Sequence, residues 1–151
     1  MSPFIKSTYL SIFTTVVIFS VYAAWIFLKL GVGYFTGPDE LIRIGRAIGA
    51  LAIAGWAFHI ILVLSVTIFD AKRAGKNVAE IIVDERDKQI NYRSMFISMH
   101  VLCAGLLLSI GALAIGWAPF WVFNIIVLFY AFANLTELGV KLFFTHRGIA
   151  A

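Results

Sequence analysis

His59, His100, Glu137 and Lys141 stand inside stretches that are otherwise apolar. Tyr130 and Asn134 share a helical face with Glu137 and Lys141, and Thr8, Ser11 and Thr15 form a similar polar face upstream. An imidazole relays protons near neutral pH, binds metals through a ring nitrogen and ligates haem iron. A carboxylate among such groups holds a proton or a cation. Three chemistries are therefore open to His59, His100 and Glu137: an ion or proton path, a two-histidine haem b site, or a divalent metal site. No HExxH, CxxC or ExxH spacing supports the metal. A fourth reading is structural. Glu137 precedes Lys141 by one turn in the favourable order, so the pair can neutralise itself. Histidine can bond to a helix carbonyl, and serine and threonine to their own backbone.

The elements carrying these groups follow from composition. Of 151 residues, 62% are hydrophobic and 13% charged, and the mean hydropathy is +0.96. Soluble chains are about 45–50% apolar and about 25% charged, and a domain of about 150 residues still exposes about a third of its unfolded surface. This excludes a soluble globular domain, a disordered chain and a disulfide scaffold, and leaves an integral membrane protein. The single cysteine, Cys103, has no partner for an intramolecular disulfide. In its apolar run it is expected to be a small buried hydrophobe.

A bilayer-crossing helix needs about 20 mostly apolar residues. Four stretches qualify, 4–30, 41–69, 93–117 and 120–144. The first is too long for the apolar core of a cleaved signal, and no soluble mature domain follows it. Thr36-Gly37-Pro38-Asp39-Glu40 is a helix-start signal, with Pro38 suited to the first helical position and two acids to the positive end of the dipole. Trp117-Ala118-Pro119-Phe120 leaves only a short connection, which makes an antiparallel hairpin of the last two spans. The expected fold is all-α: four transmembrane helices in an antiparallel bundle, one domain over 1–151, with a loop at 70–92.

Charge sets the orientation. Lys6, Lys72, Arg73, Lys76, Arg86, Lys88, Arg93, Lys141 and Arg147, nine of the twelve basic residues, fall on the side of the termini and the 70–92 loop. Lys29, Arg43 and Arg46 fall opposite. The richer side is cytoplasmic by the positive-inside bias, so both termini are expected in the cytoplasm, with the chain in the cell inner membrane. Trp25, Tyr34, Phe35, Trp117 and Trp121 would belt the outer boundary, and Tyr92, Phe143 and Phe144 the inner. His59 then lies about 16 Å from the inner span end, His100 about 10 Å and Glu137 about 15 Å, at the helical rise. The net charge of +4 reports orientation, so no nucleic-acid partner is expected.

Helices associate in lipid through small residues and polar contacts. The second span carries Gly45 and Gly49 in a GxxxG spacing, with Ala47, Ala50, Ala54 and Ala57. The third has Ser98, Gly105, Ser109, Ala112 and Gly116 at helical spacings. The two are expected to pack closely, with each other or with a second copy.

Between the spans, Lys72, Arg73 and Lys76 form a basic patch suited to anionic headgroups. Residues 77–92 read as a short surface helix continuing towards the third span, with Asp84 and Lys88 spaced as an ion pair. The run Asp84-Glu85-Arg86-Asp87-Lys88-Gln89-Ile90 resembles the D-E-R-x-x-x-I loop of a family of small, uncharacterised prokaryotic predicted membrane proteins. The resemblance carries no activity with it. It implies that Asp84, Glu85, Arg86 and Ile90 form a docking or folding element; otherwise they are a solvated charge cluster.

No Ser-His-Asp set, glycine-rich phosphate loop or cysteine pair points to an enzyme. The expected role is a homo-oligomeric accessory or regulatory component of the bilayer, with a possible membrane-protein partner. The alternatives are a small ion- or proton-coupled transporter or channel using His59, His100, Asn134, Glu137 and Lys141, and a haem b or metal-binding protein using His59, His100 and Glu137.

Overall fold

The computed structural model of the chain describes residues 3–30, 33, 35, 37, 39–74 and 85–147. It is all-α: α1 Pro3–Leu30, α2 Glu40–Ala74, α3 Glu85–Ala114 and α4 Pro119–Arg147. Each helix is long and apolar enough to cross a membrane, which suggests a multi-pass membrane protein. A helix satisfies its backbone internally, the condition hydrocarbon imposes on any lone spanning segment.

The helix ends are set by local chemistry. Arg43 N–H bonds to the Asp39 carbonyl at 3.0 Å, and its guanidinium lies 3.8 Å from the Asp39 carboxylate. Asp39 thus caps α2 and Glu40 is the first helical residue; Pro38 lies outside the described residues. At the other end of the fold, Trp117 N–H reaches Ala112 O and Gly116 N–H reaches Leu113 O. That bond pair ends α3 in a Schellman motif, with Gly116 at φ +82° where a side chain would be strained. Gly116 is exposed and serves this turn; it does not belong to the packing stripe in which its spacing puts it. Pro119 opens α4, as its missing N–H allows.

The helices outrun the predicted spans. α2 continues to Ala74 and α3 starts at Glu85, so only 75–84 of the expected 70–92 loop separates them. That segment, with Lys76, Asp84 and half of the predicted surface helix, lies outside the described residues. Hydropathy marks where apolar side chains stop, and helical backbone runs past that point. Here Glu85 pairs with Lys88 at 3.3 Å inside the first turns of α3.

α3 packs along α4. Ile90, Ser94, Ser98, Gly105, Ser109 and Ala112 are buried on α3, and Val127, Ala131 and Leu138 on α4. At Gly105 the helices come so close that an added Cβ would collide with the Cβ and Cγ of Phe129. Arg86, at the start of α3, donates to the carbonyl of Thr145 near the end of α4 (3.2 Å), so the two helices run in opposite directions. α1 also lies on α4: Tyr22 donates to Asn124 Oδ1 at 3.2 Å, and the Phe19 and Tyr130 rings are 6.2 Å apart. α2 leans on α1, with Ile18 against Gly55. Its start is held to α4 by Glu40, whose Oε1 accepts from Phe120 N–H at 3.3 Å.

The expected close packing of the second and third spans on each other is not what forms. The small face of α3 is spent on α4, and no comparable packing joins α2 to α3 among the described residues. Gly45 and Gly49 face open space. Cys103, expected buried, is exposed on the outward side of α3. One end of the fold is closed by Ile26, Phe35, Ile44 and Phe120, with Tyr22, Trp25 and Ile48 around them. Phe35, placed in the interfacial belt by its sequence position, is instead 4% exposed and belongs to this core.

The Gly105 contact generates a test. Gly105→Leu should cost about 1–3 kcal/mol through overpacking against Phe129, whereas Gly111→Leu, with nothing within 4 Å of its added Cβ, should keep wild-type stability. Thermal unfolding of both variants in the same detergent measures it. Equal melting temperatures would contradict the close approach.

Candidate functional site

Spacing and depth in the sequence group the polar residues of the spans as one cluster. A cavity of about 880 Å³ brings most of them together between α1, α2 and α4. His59, Tyr130, Asn134, Glu137 and Lys141 line it, facing Ser11, Thr14 and Thr15 of α1. The rest of the wall is apolar, with Phe19 and Trp56 its largest side chains. Leu102 is the only α3 residue on it among those described, and α2 and α3 do not pack closely on each other there. At its far end Ile48 lines the cavity and packs against the aromatic core.

Helical spacing explains why α4 supplies the charged part. Glu137 and Lys141 are one turn apart, and their ion pair closes at 2.6 Å between Oε1 and Nζ. The side chains are 27% and 14% exposed, so the pair stands at the cavity surface with the second carboxylate oxygen unused by the lysine. Asn134 Nδ2 donates to the carbonyl of Tyr130 one turn back, at 2.9 Å. Its Oδ1 remains an open acceptor.

The hydroxyls of the spans fall into two groups. Thr8 and Thr14 donate to Phe4 O and Leu10 O at 2.9 and 2.8 Å, and Ser94, Ser98 and Ser109 also bond back to their own helix. In a spanning helix this back-bonding removes the polar cost of the hydroxyl. Ser11, Thr15 and His59, and the Tyr130 hydroxyl, make no hydrogen bond to the described residues, and all four line the cavity. Thr14 is absent from the polar face legible in the sequence, although it stands beside Thr15. It is 1% exposed. Trp56 and Phe19 give no signal at all, because an apolar residue in an apolar run has no distinguishing neighbour.

His100 stands apart. It is exposed on α3, its Nδ1–H donates to Phe96 O at 2.8 Å and its ring lies 4.6 Å from that of Phe96. It lines a separate surface groove with Tyr92, Arg93 and Phe144. Depth and face are independent on a helix, and the similar depth of His100, His59 and Glu137 does not fix which way His100 faces. The structure therefore does not assemble the two-histidine set. Among the described residues no three of His, Cys, Asp and Glu are grouped as a metal site.

The loop motif also separates into parts. Asp84 lies outside the described residues. Glu85 pairs with Lys88, Arg86 holds the Thr145 carbonyl, and Ile90 is fully buried between α3 and its neighbours. Arg86 and Ile90 thus act within the chain, fastening the start of α3 to the end of α4.

No known family model, curated protein or solved structure matches this chain.

The ion pair leads to a prediction in which the double substitution is milder than a single one. Glu137→Leu strips Lys141 of its acceptor and should lower the melting temperature, softened by the reach of the lysine stem towards water. Glu137→Leu with Lys141→Met leaves no orphan charge and should melt closer to wild type. Thermal unfolding of the two singles and the double decides it. A double variant less stable than either single would assign the pair more than mutual neutralisation.

Proposed function

We propose that this chain is a multi-pass inner-membrane protein, both termini cytoplasmic, in which the four helices form one antiparallel transmembrane bundle. It acts as a homo-oligomeric accessory or regulatory component of the bilayer. The observation that carries this is the shape of the cavity. Its wall is mainly apolar with a polar stretch shared by α1, α2 and α4, and at one end it meets the Phe35–Phe120 core through Ile48. A cavity with one closed end holds something; it does not conduct. Orientation is supported by the nine basic residues on the side of the 70–92 loop.

Self-association is supported by α2. Ile44 and Ala71 are its only buried residues among those described. Gly45 and Gly49 offer an open GxxxG face for close approach of another helix. A second copy is the partner that supplies a matching face without further assumption, since an isologous contact uses the same patch twice.

A proton- or ion-coupled transporter is the competing function, favoured by the sharing of one cavity by His59, Glu137 and Lys141. It would require the aromatic end to open. Purified protein in liposomes should therefore carry no proton or potassium flux above that of protein-free vesicles, read with a pH-sensitive or potential-sensitive dye. A protein-dependent flux would replace the accessory role with transport.

The oligomer is tested separately. Crosslinking in membranes should give a dimer or higher band from the wild type, and Gly45→Leu or Gly49→Leu should weaken it by blocking close approach. An unchanged distribution in both variants would remove α2 from the interface.

A further inference from the structure

The single-ended cavity of the proposed accessory role has a lining that specifies the chemistry of an occupant. Resting on that role, we infer that the cavity binds a neutral, lipid-soluble molecule with a small oxygenated ring as its head and an apolar tail, the chemistry of an isoprenoid quinone or quinol.

The unsatisfied polar groups come first. Ser11 and Thr15 on α1, His59 on α2 and the Tyr130 hydroxyl on α4 converge on one space without a bond to the described chain. Thr14 on the same wall, and Thr8, Ser65, Thr67, Ser94, Ser98 and Ser109 outside it, turn back to their own helix; Ser20 and Thr136, each alone and outside the cavity, also lack a bond to the described residues. None of these atoms is sealed inside the protein, and Tyr130 is exposed; with lipid around them such donors would be costly to leave unpaired, and the carbonyl or hydroxyl oxygens of an occupant would satisfy them. The open Oδ1 of Asn134 and the second oxygen of Glu137 add acceptors for a hydroxyl head.

Charge comes second. Glu137 and Lys141 already neutralise each other at 2.6 Å. A fatty acid or an amine would bring a net charge into a low-dielectric site with no counter-charge left for it. A neutral head avoids that cost.

Shape comes third. The remaining wall is apolar and includes the flat faces of Phe19 and Trp56. The volume, about 880 Å³, lies within the usual span of small-molecule sites, about 300–1,000 Å³. α2 and α3 do not pack closely on each other among the described residues, and the gap between them is where an apolar tail would run out among lipid chains.

Three probes built on ten-carbon chains test this. A decyl-substituted benzoquinone, decanoate and decyltrimethylammonium are titrated into the purified full chain in detergent, with the melting temperature as readout. The quinone should raise it saturably, as binding to the folded state requires, and the two ions should not. His59→Phe, and Ser11→Ala with Thr15→Val, should each weaken quinone binding by about tenfold, the effect of losing one or two hydrogen bonds. Ser65→Ala, outside the cavity, should leave it unchanged. No saturable shift with the quinone overturns the inference, as does an equal or larger shift with either ion, or quinone binding indifferent to both cavity variants. An absence of quinone binding beside an absence of ion flux would remove the ligand while leaving the accessory role standing.

Discussion

The close approach of α3 and α4 is the constraint from which the rest of the arrangement follows. Burial of apolar surface gives little drive for helices to meet in lipid, and contact must come from packing. Ser94, Ser98, Gly105, Ser109 and Ala112 make one side of α3 nearly free of bulk, and Gly105 admits Phe129 where any side chain would exclude it. Arg86 and Ile90 fasten the hairpin at its open end and the Gly116 turn at its closed end. α4 is thereby fixed, and its other side becomes the surface against which α1 and the start of α2 are placed. The cavity exists because α2, with few small contacts to α4, is held mainly at its beginning by Glu40 and along α1 by Gly55.

The same economy separates structural polarity from available polarity. A hydroxyl bonded to its own helix carbonyl is as quiet as an alanine with a slightly larger surface. Most of the span serines and threonines are in this state, and His100 and His146 likewise bond to carbonyls one turn back. Glu137 and Lys141 quiet each other. Ser11, Thr15, His59 and the Tyr130 hydroxyl, which have no such bond, share one place, formed by three helices that meet only in the folded chain, whereas the unbonded Ser20 and Thr136 lie singly outside it.

Much of the architecture is legible in the sequence, and the failures have identifiable causes. Four apolar stretches, Pro119 at a helix start, the Glu137–Lys141 pair and the small-residue face of α3 are all visible as composition and spacing. Partner choice is not: the stripe on α3 specifies closeness without saying to what, and it goes to α4. Charge looks like the end of a span at 70–92, whereas Glu85 to Tyr92 form the first turns of α3. Depth groups His100 with His59, but depth is one-dimensional and a site needs an angle around the helix as well. The absence of hydrogen bonds at Ser11, Thr15 and His59 leaves no mark in the sequence. Bonded and unbonded hydroxyls are the same letters.

The central position of α4 has a consequence for how the chain is made. α4 is the last of the four helices in chain order, yet it carries the contacts to α3, to α1 and to the start of α2. Until α4 is made, α1 and α2 have only each other to pack on, and Ser11, Thr15 and His59 stand without the wall that α4 supplies. The cavity cannot form before α4 does, and a nascent chain halted before α4 has Ser11, Thr15 and His59 without the wall that completes the site.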